Sequence, residues 1–155
     1  MSSKQKPTSS TNLTAAMKSD KREKRAYFSQ ADFPHTPLQE AQRIATALVN
    51  DFAGTDGPPP DVALALGISP TSSAWRTLTG SSIAYGLTEG GFNANTITLS
   101  PLGKKLVAPE EEGADILARR EAILHPRISK EFFAKYRRAK FPSDVIACNV
   151  LKSMG

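Results

Sequence analysis

One cysteine and two histidines in 155 residues leave little material for thiol or metal chemistry. Cys148 has no second thiol in the chain, so an internal disulfide is excluded and a reducing compartment is the natural setting. His35, His125 and Cys148 lie far apart, with no metal-ligand spacing among them. No apolar run approaches the roughly 20 residues that span a bilayer, and the opening MSSKQKPTSS is polar where a secretory signal would be apolar. Gly90-Gly91 lacks the downstream Gly and Lys of a phosphate-cradling loop. Glu110 to Glu112 are better explained by helix polarity than by cation binding. The expectation is a cytoplasmic protein that is not an enzyme, with no metal, no cofactor and no membrane segment.

The net charge of +5 is unevenly placed. Residues 1–32 hold seven Lys/Arg against three Asp/Glu, and the rest of the chain holds thirteen against twelve. The first stretch is rich in Ser, Thr, Lys and Gln. It has little apolar surface to offset the entropy of ordering, so it reads as a disordered basic tail. Its KREKR cluster, Lys21 to Arg25, reads as a plain solvated run, as a source of non-specific attraction to phosphate or, in a eukaryote, as a nuclear address.

Order is expected from Phe33. Thr36-Pro37-Leu38-Gln39 offers a Thr N-cap, a Pro at the first helical position and a Gln to close a capping box. Leu38, Ala41, Ala45, Leu48 and Phe52 then recur at helical spacing. Gly54 to Pro60, GTDGPPP, reads as a loop. From Asp61 the chain reads as a short helix, a tight turn and a second helix: Ala63 is small where helices cross, Gly67 suits a left-handed C-terminal position, and Ile68 plugs the turn. Ser69 and Pro70 are expected to start the next helix, which runs to Tyr85. On it Ala74, Leu78 and Tyr85, widened by Trp75 and Ile83, form the apolar side, while Ser73, Arg76, Thr77, Gly80 and Ala84 face outward. A wing follows, with strands at Leu87 to Glu89 and Thr96 to Leu99 around a Gly/Asn-rich turn, and Ser100-Pro101 opens a short helix. Residues 33–107 therefore read as a winged helix-turn-helix domain, and the fold class as mainly α with a small β-hairpin and additional C-terminal helices.

Residues 108–155 read as a helical extension. A helix led by Pro109 and the three glutamates runs toward His125-Pro126, and a second carries Ile128, Phe132, Phe133 and Tyr136. Eight Lys/Arg between Arg119 and Lys140 stand against Glu121 and Glu131; they read either as solvated helix faces or as a phosphate-contacting surface. Ser143 is expected to cap a last helix bearing Val145, Ile146, Val150, Leu151 and Met154, read as the start of a second helical module that continues beyond Gly155.

The runs Ala65-Leu-Gly-Ile-Ser-Pro-Thr-Ser-Ser-Ala-Trp-Arg-Thr-Leu, Ser82-Ile-Ala-Tyr-Gly-Leu-Thr-Glu-Gly-Gly, Ile97-Thr-Leu-Ser-Pro-Leu-Gly-Lys-Lys-Leu-Val-Ala-Pro and Ala118-Arg-Arg-Glu-Ala-Ile-Leu together resemble a prokaryotic winged-helix region. In the proteins it resembles, that region precedes a predicted nucleotide-binding domain similar to Toll/interleukin-1 receptor (TIR) domains and associated with bacterial defence. The resemblance implies a regulatory N-terminal region of a larger protein and carries over no catalytic residue.

Two uses follow for such a domain. As a duplex-DNA binder it would place its second helix in the major groove, with Thr71, Ser72, Ser73, Arg76 and Thr77 near base edges or phosphates. Arg76 is the base reader, and Asn93 and Asn95 in the wing, with Lys104 and Lys105 behind it, touch the adjacent backbone. As an adaptor controlling a C-terminal TIR-like effector, it would associate with itself or a partner through Ser73, Thr77, Gly80 and Ala84.

Overall fold

The structure, a computed structural model, describes residues 29–154. The KREKR cluster and the disorder expected for the basic tail fall outside those residues, except for positions 29–32, which belong to the fold. The chain is mainly helical with one two-stranded antiparallel hairpin. No helix among the described residues is long and apolar enough to cross a membrane.

Helix α1 (Leu38–Asn50) buries Ala41, Ile44, Ala45, Ala47 and Leu48, one continuous face at helical spacing. Its cap differs from expectation. Pro37 occupies the N-cap, and the Thr36 hydroxyl is buried without a hydrogen-bond partner. Thr36 is held through its backbone instead: its N–H donates to Ser81 Oγ, and its carbonyl accepts from the Tyr85 hydroxyl.

Helix α2 (Pro59–Ala65) begins inside the stretch expected to be all loop. Proline cannot continue a helix, but it lacks only an N–H that the first turn leaves unpaired, so Pro59 and Pro60 start one instead. The same stretch also touches the hairpin: Gly57 and Ile97 exchange both backbone hydrogen bonds, at 3.1 and 2.8 Å. The turn after α2 has the expected form. Gly67 lies at φ +70°, its N–H donates to Leu64 and the Ile68 N–H to Ala63, and Ile68 packs on the core.

Helix α3 (Ser73–Ala84) starts later than the Ser69-Pro70 reading has it. Ser72 is the N-cap, accepting from the Trp75 N–H at 3.1 Å and donating to the Ser69 carbonyl at 2.7 Å. Trp75 and Leu78 pack with Ile44, Leu48, Val62 and Ile97 into the first core cluster. Burying Trp75 completely leaves its ring N–H without a partner, a cost set against a large apolar gain.

Strands β1 (Thr88–Glu89) and β2 (Thr98–Leu99) pair Thr88 with Leu99 and Glu89 with Thr98. They are shorter than expected, although the Ser100 N–H to Leu87 carbonyl bond extends the pairing by one step. Ser100 then caps helix α4 (Pro101–Val107), accepting from the Gly103 N–H and donating to the Gly86 carbonyl. Gly103 is there for proximity: a Cβ on it would overlap the Leu87 carbonyl oxygen.

Helix α5 (Ala114–Leu124) adds Ala118 and Ala122 to a second cluster with Ala45, Leu87 and Leu106. The three glutamates do not open it as expected. They lie in the turn before Gly113, Asp115 is the acid in its first turn, and Ile116 and Leu117 are exposed. Helix α6 (Arg127–Lys135) buries only Ile128, while Phe132, Phe133, Tyr136 and Phe141 form an aromatic cluster with ring centroids 5.0–6.3 Å apart. Helix α7 (Asp144–Ser153) has Ser143 at its N-cap without a side-chain bond, and buries no residue.

Candidate nucleic-acid interface

The order α1, α2, turn, α3 and hairpin brings the first turns of α3 beside the β1–β2 turn. Arg76 and Phe92 mark the junction. The guanidinium carbon of Arg76 stands 4.9 Å from the centre of the Phe92 ring in the hairpin turn, both residues being exposed. Arg76 pairs with no carboxylate among the described residues. A guanidinium lying on a ring face keeps its planar edge, where its N–H groups are, available for a second partner.

The other residues named from sequence divide into four groups. Thr71 and Ser73 are exposed at the start of α3, Ser73 beside Glu40 and Arg43 of α1, and Asn93 and Asn95 are exposed in the hairpin turn that carries Phe92. Ser72 belongs to the structure rather than to a ligand, because both bonds of its hydroxyl close the N-terminus of α3. Thr77 is half-buried at the edge of the patch.

Lys104 and Lys105 stand elsewhere. They line a groove of about 580 Å³ between α4 and α5, with Glu110, Glu111 and Glu121 on its walls. Lys104 is paired with Glu110 at 2.8 Å. The hydrogen bond and charge of that pair raise the Lys104 ammonium and lower the Glu110 carboxyl from their ordinary ranges.

The outward face expected at Ser73, Thr77, Gly80 and Ala84 does not exist in its second half. Ala84 is buried, and Gly80 lies under the side chain of Gln30. Gln30 Nε2 donates to the Thr77 carbonyl at 2.5 Å and to Ser81 Oγ at 3.3 Å. Residues 29–36 thus form a strap across α3, and the exposed apolar residue on this part of the helix is Ile83, which had been placed on the buried side.

The other end of the strap is fixed to α6. The Ile128 N–H donates to the Asp32 carbonyl, and Arg127 Nε meets Asp32 Oδ1 at 3.1 Å. The Ser29 hydroxyl, then Arg127, hold the Asp32 carboxyl below its ordinary range. His125 closes the same side, its Nδ1 lying 3.0 Å from the Ala84 carbonyl with the ring against Gly86. The strap carried a sequence signal after all: Gly80-Ser81-Ser82 is a run of small residues on a helix, which marks close approach by another segment. That segment is the chain's own N-terminal side.

Electrostatics separates the patch from the cations. Residues 33–107 hold four Lys/Arg against five Asp/Glu, whereas 119–140 hold eight against two, all eight exposed. Among the described residues no group of three His, Cys, Asp or Glu is placed to hold a metal ion.

Compared with family models, curated proteins and solved structures, the chain has no match. The resemblance to regions that precede TIR-like domains therefore rests on the residues quoted for it.

Proposed function

We propose that this chain is a duplex-DNA-binding module that offers the first turns of α3 and the β1–β2 turn to the DNA grooves. The observation that carries this reading is the Arg76–Phe92 stack, which holds an unpaired guanidinium at the junction of helix and wing. A guanidinium so held can meet the O6 and N7 of guanine with two parallel hydrogen bonds, worth about 1–3 kcal/mol of discrimination. Thr71 and Ser73 supply short hydroxyls for phosphate on one flank, and Asn93 and Asn95 supply amides on the other. The near-neutral charge of residues 33–107 means that this patch reads and positions, while phosphate attraction comes from cations outside it.

The partner-docking alternative keeps only the first half of its expected face, Ser73 and Thr77, because the strap covers Gly80 and Ala84 is buried.

The experiment is selection of preferred sites from random duplexes by the full chain, followed by binding of the selected site by the Arg76→Ala variant. The expected result is that Arg76→Ala keeps non-specific binding but loses preference for one guanine position by about 5- to 150-fold. An Arg76→Ala chain that retains the full preference overturns the role given to this residue, and a chain that binds no duplex at low salt overturns the whole reading.

A further inference from the structure

On the side of α3 that carries Arg76, the helix is open at its first turns and covered at the next. Ser73 and Arg76 are exposed, and Gly80, four residues after Arg76, lies on the same side about 6 Å further along the axis. Gln30 rests there. A Cβ on Gly80 would overlap the Gln30 side-chain amide, which donates from Nε2 to the Thr77 carbonyl at 2.5 Å and to Ser81 Oγ at 3.3 Å. The segment that carries Gln30 is pinned. The Asp32 and Phe33 N–H groups donate to the Ser29 carbonyl, Pro34 is buried, the Thr36 N–H donates to Ser81 Oγ, and Asp32 is tied to α6 by the Ile128 N–H and by Arg127.

Size decides what this contact does to a helix that enters DNA. An α-helix with its side chains is about 10–12 Å across, and the major groove is about 12 Å wide. One helix fills the groove, so a helix with a second segment laid on its outer face does not enter it. We propose that Gln30 is a positioning residue that sets how much of α3 reads DNA: its amide stops the helix at the Thr77 turn and leaves Ser73 to Thr77, about 7.5 Å or two base-pair steps, to meet the base edges. This rests on the DNA-binding reading above and adds to it what limits the length of the site. Taking the amide away uncovers Gly80, which has no side chain to hold DNA off. The usable face then runs from Ser73 to Gly80, about 12 Å, which is one or two base-pair steps more. Arg76 keeps its place, because its ring partner Phe92 belongs to the hairpin turn and not to the strap.

The test uses the full chain, native and Gln30→Ala, each taken through selection from random duplexes and then titrated by anisotropy with its selected site. The expected result is that Gln30→Ala selects a site longer by one or two base pairs, binds it about fivefold or more tightly than the native chain binds its own, and keeps the guanine preference assigned to Arg76. A selected site of unchanged length, or weaker binding by Gln30→Ala, overturns the role given to Gln30 and leaves DNA binding by α3 intact. Thermal unfolding without DNA checks the contact by itself, with Gly80→Ala made in the native chain and in Gln30→Ala. In the native chain the new methyl must push the amide off Thr77, whereas in Gln30→Ala it brings only the helix preference for alanine over glycine, so the midpoint should rise more in the second. Equal changes in the two backgrounds overturn the contact, and the inference with it, before any DNA is added. A native chain that selects no duplex, with the two backgrounds still different, instead removes the DNA-binding reading on which the depth limit rests.

Discussion

Trp75 and Phe133 are both large aromatics on short helices, yet Trp75 is fully buried against α1, α2 and the hairpin, while Phe133 is 39% exposed among other rings of α6 and its continuation. The contrast runs through the two regions to which they belong. From α1 to α5 every helix contributes to one of two core clusters, whereas α6 buries one side chain and α7 none. Charge runs the other way, with eight exposed cations concentrated in 119–140 and a near balance in residues 33–107. The well-packed region can hold a side chain such as Arg76 in one place, which the proposed base reading requires. The thinly packed one carries charge, which needs no such precision.

The largest expected effect that sharpens this comparison is at its centre. Trp75→Ala removes a fully buried ring and is expected to cost about 3–5 kcal/mol of unfolding free energy, measured by urea denaturation. A loss no larger than that of Phe133→Ala would break the distinction. Next comes Gly103→Ala. Helix propensity alone favours alanine, but the added methyl meets the Leu87 carbonyl, so the same assay should show a loss of about 1–3 kcal/mol.

A smaller effect concerns the strap. The Asp32 carboxyl is lowered in the folded state, so its contribution is present above the ordinary carboxylate range and is lost as pH falls through and below it. Thermal unfolding against pH should show that dependence reduced in Asp32→Asn, and the exposed pair with Arg127 should weaken with added salt. Smallest of all is Val145→Ala on α7. With Val145 72% exposed, the change is expected to stay within about 0.5 kcal/mol of the native chain in the same denaturation assay.

Much of residues 33–107 was legible because single residue types had one physical use there. Gly67 takes positive φ, Ser100-Pro101 caps a helix, and the alternation around Thr98 gives the return strand. Boundaries were less legible. The prolines at 59 and 60 have two opposite uses, and Ser69 and Ser72 are equally good caps until the Trp75 N–H selects one. The candidate surface was half legible. Arg76, Ser73 and the hairpin-turn asparagines could be placed from helix phase and turn composition, but the strap could not. Gln30 is a polar residue in a polar stretch, and its contacts lie 47 and 51 residues away in the chain. The pairing of Lys104 with Glu110 was hidden for a similar reason, because the turn at Gly113 detaches the glutamates from the helix they were expected to open.

The most direct test of the DNA-binding account is amide NMR mapping of the full chain titrated with a short duplex. The account predicts that shifts and broadening concentrate at Thr71, Ser73, Arg76 and Thr77 and at Asn93 to Asn95, with α7 unaffected. Perturbation confined to α6 and the Arg137 to Lys140 stretch, with α3 and the wing silent, would contradict it.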